Sequence, residues 1–546
     1  MYTWILMNDI SVKKILPHLV KIISETNGLS LQSTLELLIG SEDVPELIKA
    51  QILDFSKKLD LFRINQAPIE DLLDHSVGRA FYEFFQNFPL KYREEHIHLT
   101  GSLTAEFVFP RLQTLLNGEH KKLYEQKIQN VFGSQMFPLD SHKKVNDLMR
   151  LQDNELFDRY LEILLLPKLI LTSKDAHADA AYHMASELYY KYNVGAIRIK
   201  FTLSRATTSS KEEIPGADTL SSEEVVCGLY EGFTRFRRDH ADFEFILSPC
   251  FRKEPEFFDA KRFKTKKDHF DHQVQSLLDL LEKFPELSPH VTEVDTVGSE
   301  KSLYRKEHFK EMKFGLRKLQ TRGLKIRSHH GETWDTLRRG IQSVDNAMNI
   351  WHVDAVEHGL SLGINPNFYF HKMYQTVLAK NRKGIAIDPK SQEYRELMEL
   401  DWNGRDMIRE HLINGTPVSQ IEEIYFVKAK FHAARELEHY QHDVLNRMID
   451  KELSVIALPS SNKKLTGQFE DYKEHPFSWW EKKGVKLGVG TDNYVTLNTN
   501  YIREMMILLI TDPTHLKITK LLMVCTGEKR RPYISQQLWK LRKRLT

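Results

Sequence analysis

The feature of this sequence that most constrains its fold is an alternation of short β-rich segments with long helical stretches, which begins at Glu94. Eight such segments follow one another, and most are followed by a polar or glycine-containing turn and a helix-compatible stretch. This alternation is typical of a parallel sheet with crossover helices, and eight βα units close most economically into a (β/α)8 TIM barrel. The segments are Glu94–Leu99, Ala196–Phe201, Phe243–Pro249, Val291–Gly298, Lys325–Glu332, Asp354–Gly359, Leu453–Pro459 and Lys486–Asp492.

Two regions extend this α/β barrel. Residues 1–92 show helical spacing and predict a helical N-terminal region before a barrel domain over 93–546. The gap between the sixth and seventh segments is far longer than a usual βα connection, so we predict a helical insertion at about 367–450. Within it, Ser419 and Glu422 have the spacing of a capping box that opens a long amphipathic helix. The apolar stripe of that helix predicts a packing surface or a surface for a homo-oligomer; it comprises Ile424, Val427, Phe431, Leu437, Val444 and Met448.

Composition excludes several classes of protein. The 77 lysines and arginines balance 75 acidic residues, which gives no argument for nucleic acid or a membrane surface as a partner. Three cysteines, widely spaced, form neither a disulfide framework nor a thiolate metal site and suit a reducing cytosol. The apolar start from Trp4 to Met7 is shorter than a signal h-region, and no apolar stretch approaches membrane-spanning length. We therefore expect a soluble, cytoplasmic protein.

Polar residues that suit a metal site fall at the predicted carboxyl ends of four strands. At the first of these ends, period-2 alternation points His96 and His98 to the same face, although two hydrogen-bonded strand histidines would have the same spacing. Barrel enzymes assemble their active sites at the carboxyl ends of the strands, so the four sets together favour an active site. The sets are His96-Ile97-His98, Ser328-His329-His330-Gly331-Glu332, Glu357-His358-Gly359 and Gly490-Thr491-Asp492-Asn493.

In order and location these residues resemble the motifs of the adenosine deaminase family of the amidohydrolase superfamily, over about residues 94–500. That family has a HxHLxG at the first strand, a GxE-like turn after the fourth, a HxGE at the fifth, a HG at the sixth and a TDD at the eighth. The matching residues here are His96-Ile97-His98-Leu99-Thr100-Gly101, Gly298-Ser299-Glu300, His329-His330-Gly331-Glu332, His358-Gly359 and Thr491-Asp492-Asn493. Secondary resemblances are Pro459-Ser460-Ser461-Asn462 and His475-Pro476.

The resemblance implies one zinc ion per chain with an open position for water. The implied ligands are His96, His98, His329 and Asp492. The fourth segment carries no lysine of the kind that is carbamylated in binuclear relatives, which favours a single metal ion.

The resemblance also implies the catalytic roles. Glu332 would protonate N1 of an adenine ring, His358 would orient and deprotonate the water, and Asp492 would assist from the metal side. The backbone N–H of Gly298 would meet purine N3, and Asn493 would meet N7. The products are then ammonia and the inosine form of the substrate.

Two positions depart from the family pattern. An acid that holds the ribose 5′-hydroxyl is replaced here by Thr100, which removes a charge that would repel a 5′-phosphate. Asn493 replaces the second acid of the TDD motif, and its amide can donate to N7 as it stands. We therefore predict an adenine nucleoside or 5′-nucleotide substrate, ribo or deoxy, with the nucleotide slightly preferred. A basic loop after the third strand predicts phosphate binding, or else a solvated helix start; it contains Arg252, Lys253, Lys261, Arg262, Lys264, Lys266 and Lys267.

Three residues beside the motifs have their own interpretations. Glu300 either contacts the substrate or is a solvated carboxylate at a helix start. His330 is expected to point away from the metal and to pack, and Glu357 is expected to point outward toward the helices.

Two other functions stay open at this point. One is a catalytically impaired barrel that serves as a nucleotide-binding or assembly subunit, and the other is a deaminase for another ring, such as guanine or a pterin. The complete set of metal ligands, acid and base argues against the first. Gly298 and Glu332 favour adenine over the second.

Overall fold

The computed structural model describes residues 2–152, 155, 157–203, 214–217 and 219–545. Its eight strands are β1 (Tyr92–His98), β2 (Val194–Thr202), β3 (Glu244–Arg252), β4 (Glu293–Val297), β5 (Lys325–His330), β6 (Ala355–His358), β7 (Ser454–Ala457) and β8 (Lys486–Val489). They pair in sequential order and all in parallel. The residues that follow β8 return to β1, where the Asp492 N–H donates to His96 O at 2.9 Å and the His98 N–H donates to Asp492 O at 2.7 Å. The predicted (β/α)8 barrel is confirmed.

Five helices precede β1, as the helical spacing of the N-terminal region predicted. They are α1 (Tyr2–Glu25), α2 (Leu31–Gly40), α3 (Glu46–Arg63), α4 (Glu70–Leu73) and α5 (Ser76–Gln86). α1 packs against α5 and against the last helix of the chain, α24 (Arg531–Leu545). The N-terminal helices are therefore held to the outside of the barrel by apolar contacts. The exact domain boundary at residue 92 stays a prediction.

Helices also cover the outer face of the barrel, so both faces of the sheet are buried, as parallel strands require. Between β1 and β6 they are α6 (Ala105–Leu116), α7 (Lys121–Phe132), α8 (His142–Met149), α9 (Phe157–Ile163), α10 (Leu165–Ile170), α11 (Lys174–Tyr192), α12 (Ser222–Asp239), α13 (Lys266–Lys283), α14 (Lys306–Thr321) and α15 (Leu337–Asn346). After β7 they are α20 (Pro459–Thr466), α21 (Phe477–Lys483), α22 (Tyr501–Thr511) and α23 (Ile518–Thr526).

The predicted helical insertion between β6 and β7 is present. It consists of α16 (Pro366–Asn381), α17 (Gln392–Glu399), α18 (Asp406–Asn414) and α19 (Gln420–Asp450). The capping box at the start of α19 is confirmed, because Ser419 Oγ accepts from the Glu422 N–H and the Glu422 carboxylate accepts from the Ser419 N–H.

The apolar stripe of α19 divides along its length. Leu437, Val444 and Met448 are buried where the helix packs on α15 and α16, which confirms a packing role for this half. Ile424 and Phe431, in the other half, are 55% and 59% exposed. A homo-oligomer through this exposed half stays a prediction. None of the described helices is long and apolar enough to cross a membrane.

Candidate metal centre and active site

Four side chains from the ends of β1, β5 and β8 converge at the mouth of the barrel. Nε2 of His98 lies 3.2 Å from Nε2 of His96 and 3.3 Å from Nε2 of His329. Oδ1 of Asp492 lies 3.6 Å from Nε2 of His96 and 3.5 Å from Nε2 of His98. Ligands of a tetrahedral zinc ion, with bonds of about 2.0–2.1 Å, lie about 3.3 Å apart. His96, His98 and Asp492 form a group that could hold a metal ion, and His96 and His329 form a second such group with His358. One zinc site made of His96, His98, His329 and Asp492 stays a prediction.

The backbone and a neighbouring hydroxyl place the Asp492 carboxylate. Asp492 has a φ of +66°, which is a left-handed conformation, and its N–H and carbonyl both pair with β1. Its Oδ2 accepts from the Ser461 hydroxyl at 2.6 Å, so Oδ1 is left to face the imidazoles. The Pro459–Asn462 motif therefore contributes to the site from the start of α20.

Buried carboxylates orient two of the imidazoles. Nδ1 of His96 donates to Oε2 of Glu357 at 2.7 Å, and Nδ1 of His329 donates to Oδ1 of Asp295 at 3.1 Å. A proton on Nδ1 leaves the Nε2 lone pair directed at the cluster, which is how metal-ligating histidines are commonly held. Burial is the largest influence on His98, and it lowers the pKa of that imidazole to about 4, so His98 is neutral and able to ligate at pH 7.

The prediction that Glu357 points outward is wrong. Its side chain lies inside the barrel and is fully buried against His96. Strand alternation places 355 and 357 on the inner face, and it ends at His358, whose φ of +69° is left-handed. His358 therefore turns back into the mouth beside Glu357, rather than to the opposite face.

His358 and Glu332 lie next to the cluster. Nδ1 of His358 donates to Oδ1 of Asn462 at 2.8 Å, and the Asn462 amide contacts Nε2 of His475 at 3.2 Å. Nε2 of His358 is buried, has no hydrogen-bond partner among the described residues, and lies 3.7 Å from Oε2 of Glu332. Burial raises the pKa of the Glu332 carboxyl, which favours its protonated form. The pair thus offers one free lone pair and one acidic proton at the same place.

Glu300 anchors the loop that carries Glu332. It is 3% exposed, so the solvated alternative is wrong. Its carboxylate accepts the N–H groups of Gly331 at 2.8 Å, Glu332 at 2.5 Å and Thr333 at 2.8 Å. With its oxygens occupied in this way, Glu300 positions Glu332, and its predicted contact with substrate stays a prediction. His330 points away from the cluster, as expected, with Nδ1 2.8 Å from the Ser343 hydroxyl.

Gly298 and Asn493 are the residues predicted to contact the purine ring. Gly298 has a φ of +103°, and a Cβ there would lie 2.2 Å from Oε2 of Glu254, so this turn requires glycine. Asn493 Nδ2 donates to Oδ1 of Asp492 at 2.6 Å and to the Tyr160 hydroxyl at 2.8 Å. Both amide hydrogens are used, so a contact with purine N7 requires one of these bonds to be exchanged. Tyr160, from α9, belongs to no motif and was missed from the sequence.

A cavity of about 460 Å³ opens beside the cluster, and that volume is in the range of ligand pockets. His98 and Thr100 lie at its inner end, and apolar side chains such as Leu161 and Phe201 form much of its wall. Lys168 and His177 also line it, and no sequence motif pointed to either.

Only one residue of the basic loop reaches this cavity, namely Arg252, which also pairs with Glu254. Lys253 and Lys266 are buried and donate to backbone carbonyls, the first to His329 O and the second to Arg252 O and Phe257 O. Lys261, Arg262, Lys264 and Lys267 are exposed and do not line the cavity. Of the basic loop, only Arg252 therefore lies where it could meet a ligand in this cavity, and phosphate binding stays a prediction.

No family model matches this sequence, and no curated protein matches it. Solved structures with a similar fold include the adenine deaminase of Arthrobacter aurescens, at 10% identity and a TM-score of 0.47, with 83% of this chain and 99% of that chain covered. An amidohydrolase from Burkholderia ambifaria with bound Zn has 13% identity and a TM-score of 0.48, with 85% and 94% covered. The N6-methyl-AMP deaminase of Arabidopsis thaliana has 11% identity and a TM-score of 0.47, with 85% and 98% covered. What this barrel does is therefore argued from its own residues.

Proposed function

We propose that this chain is a zinc-dependent hydrolase of the adenosine deaminase type, which converts an adenine nucleoside or 5′-nucleotide to its inosine form and ammonia. The observation that carries the proposal is the convergence of four ligand atoms beside a buried acid and an unpartnered imidazole nitrogen. Three nitrogen ligands and one oxygen ligand suit zinc, which can expand to five-coordinate and so hold a water as well. We propose one zinc ion per chain.

When bound, the zinc ion acts as a Lewis acid that makes water acidic enough to serve as a nucleophile near neutral pH. His358 accepts the proton of the attacking water at Nε2, because Asn462 holds the other ring nitrogen. Glu332 delivers a proton to ring N1, which makes C6 electrophilic. Oxygen from water bonds to C6 as a hydroxyl, the C6–N bond breaks, and the amino group leaves as ammonia with the proton from His358. The proton of the C6 hydroxyl passes to the Glu332 carboxylate, which leaves a carbonyl at C6 and a hydrogen on N1 and restores the acid.

The substrate preference follows from the cavity beside His98. Thr100 lies at its inner end as a hydroxyl where an acid would repel phosphate, and Arg252 lies on its wall. We propose that the ribose 5′ side enters this cavity and that a 5′-phosphate, ribo or deoxy, is accepted slightly better than a free hydroxyl. The purine N3 and N7 contacts would come from Gly298 and Asn493. Adenine is favoured over other rings because Gly298 and Glu332 match the motifs of the adenosine deaminase family.

The experiment is to incubate zinc-loaded protein with adenine, adenosine, deoxyadenosine and their mono- to triphosphates, and to follow the absorbance change and the release of ammonia. We expect turnover of at least one nucleoside or nucleotide and none after removal of metal by a chelator. Binding of these compounds without ammonia release would contradict the proposal and favour a nucleotide-binding or assembly subunit. Activity that survives complete metal removal would contradict the metal assignment.

The setting of this activity is also a proposal. The dispersed cysteines suit a reducing cytoplasm, and an adenine-to-inosine conversion belongs to purine nucleotide metabolism. We further propose that the catalytic domain is 93–546 and that residues 1–92 are an attached helical region. The exposed part of α19 is the surface through which a homo-oligomer would form.

A further inference from the structure

Lys200, the seventh residue of β2, belongs to none of the motifs and is fully buried inside the barrel. Its ammonium donates to Oδ2 of Asp295 and, at 2.9 Å, to Oε1 of Glu357. A lysine ammonium is rarely buried without such partners, because its desolvation is costly. Lys200 thus joins two carboxylates that come from two different strands, β4 and β6.

These two carboxylates are the ones that orient the metal-site imidazoles. Asp295 uses Oδ1 for His329 and Oδ2 for Lys200, while Glu357 uses Oε2 for His96 and Oε1 for Lys200. The result is one continuous chain of hydrogen bonds in the order His329, Asp295, Lys200, Glu357, His96. Both ends of the chain are metal-site imidazoles, and Lys200 is its centre.

The two carboxylates differ in what else supports them. Glu357 also accepts from Nε of Arg327, at 2.5 Å. Among the described residues, Asp295 has no lysine or arginine partner other than Lys200. Loss of the ammonium would therefore leave Asp295 as a buried charge without a cation, while Glu357 would keep one. The effect should fall mainly on His329.

We propose that Lys200 is a positioning residue for the metal centre, which holds Asp295 and Glu357 so that His329 and His96 present Nε2 to a bound zinc ion. This inference rests on the metal site of the proposed function, and it concerns a residue outside the resemblance to the deaminase motifs. Partners of this kind behind metal ligands commonly contribute 10- to 100-fold, roughly, to metal affinity.

The test compares the full-length chain with Lys200→Met, which keeps most of the volume and removes the charge. The zinc dissociation constant is measured by competition with a chelating dye, and the absorption spectrum of the cobalt-loaded protein reports the coordination geometry. We expect zinc to bind about 10- to 100-fold more weakly, with a changed cobalt spectrum. Lys200→Arg, which restores a cation, should recover part of the affinity.

Double variants test the asymmetry between the two carboxylates. Adding Asp295→Asn to Lys200→Met removes the unpaired charge while the amide oxygen can still accept from His329, so zinc affinity should rise above that of Lys200→Met alone. Adding Glu357→Gln should give a smaller recovery, because Arg327 already compensates Glu357. Equal recovery by the two substitutions would contradict the assigned chain of contacts.

Lys266→Met is the matched control. Lys266 is also buried, but within the part of the chain that the structure describes its ammonium donates to the carbonyls of Arg252 and Phe257 and to no carboxylate. We expect it to lower the unfolding temperature and to leave zinc affinity unchanged. If Lys200→Met does not fold, Lys200→Gln, which keeps an N–H donor without the charge, takes its place.

Unchanged zinc affinity and an unchanged cobalt spectrum in the folded Lys200 variant would overturn the inference, and so would a wild-type chain that takes up no metal. Failure of the deaminase activity alone is distinguishable from both results. In that case the wild-type chain binds zinc, the Lys200 variant binds it more weakly, and no adenine compound is deaminated.

Discussion

The two sides of the barrel mouth differ in how closely their side chains are fixed. On the metal side, the ends of β1, β5 and β8 bring His96, His329 and Asp492 together. In each of these side chains, the polar atom that faces away from the cluster has a hydrogen-bond partner. On the substrate side, the loop after β3 disperses its basic residues, and only Arg252 reaches the cavity. The register of a sheet fixes the positions of side chains at the strand ends. A side chain in a loop instead contacts whichever acceptor the loop backbone places near it.

The two sides of the barrel mouth also differ in how deeply their groups are buried. On the metal side, burial lowers the pKa of His98 to about 4, so that imidazole is neutral at pH 7, and burial raises the pKa of the Glu332 carboxyl, which favours the protonated form that a general acid needs. On the substrate side the cavity is open and partly apolar. Substitutions on the metal side should therefore change rates by orders of magnitude, and those on the substrate side by about tenfold.

The largest expected effect is that of Glu332→Gln, which cannot deliver a proton to N1. We expect kcat to fall by about 10²- to 10⁴-fold with zinc content unchanged. The measurements are turnover on the best substrate and metal content by elemental analysis. Glu396→Gln is the control, because Glu396 is also buried but accepts from the Tyr369 hydroxyl in the helical insertion and from the Leu337 N–H at the start of α15. Retention of most activity by Glu332→Gln would remove the general-acid role.

Replacing His358 with alanine should remove the base while the metal stays bound, with a loss in kcat of about 10²-fold or more. This variant also tests the ligand set, since His358 lies close enough to His96 and His329 to share an ion with them. Zinc content decides between the two roles. Loss of zinc in His358→Ala would place His358 among the ligands and leave the role of base vacant.

The contrast between the two sides also explains how far the sequence could be interpreted. The eight strands were predictable because short β-rich segments alternate with helical stretches, and the polar residues at their carboxyl ends were predictable from that topology. The proposed ligand set itself came from the resemblance to the deaminase motifs. Glu357 was assigned to the wrong face because alternation was counted from His358, whose left-handed φ breaks it. Lys200 and Tyr160 were not predictable, since neither is in a motif. Lys200 meets Glu357 only because the barrel closes, and Tyr160 meets Asn493 only because of the position of α9.

On the substrate side, Arg252→Gln should lower kcat/KM for a 5′-nucleotide by about 10-fold while leaving that for the nucleoside unchanged, because a hydrogen bond to a charged group contributes roughly 1.5–3 kcal/mol. Lys261→Gln is the matched control and should change neither, since Lys261 is exposed and off the cavity. Steady-state kinetics on both substrates measure this. A selective effect of Lys261→Gln would restore the loop as the phosphate site.

Thr100→Asp returns an acid to the inner end of the same cavity. Repulsion between that carboxylate and a 5′-phosphate should shift preference toward the nucleoside by about 10-fold. The comparison of kcat/KM for the nucleoside and its monophosphate, in wild type and variant, measures the shift. No shift would show that the 5′ end of the substrate does not approach Thr100.

The smallest expected effect is on stability and concerns a histidine behind the metal side. Burial lowers the pKa of His330 from 6.5 to about 4, while in the unfolded chain it titrates at its ordinary value. Between these values the unfolded chain binds a proton that the folded chain does not, so the stability present above pH 6.5 falls as the pH drops toward 4. The loss is about 1.4 kcal/mol per pH unit, which for a chain of this length lowers the unfolding temperature by roughly 1 °C per unit.

His330→Phe removes this titration and can pack against the rings of Phe309 and Trp351, which already surround the imidazole. The metal-free protein is used, so that zinc does not compete with protons for His96, His98 and His329. The unfolding temperature is measured from pH 6.5 to 4.5 in both proteins.

Other buried groups, such as Glu94 with its pKa raised to about 8 mainly by burial, titrate in both and cancel in the comparison. The slope against pH should be shallower in the variant by the amount that one histidine contributes. Equal slopes would mean that His330 is protonated as readily in the folded chain as in the unfolded one, and that its contacts with Ser343 and Glu300 stabilise the charged form.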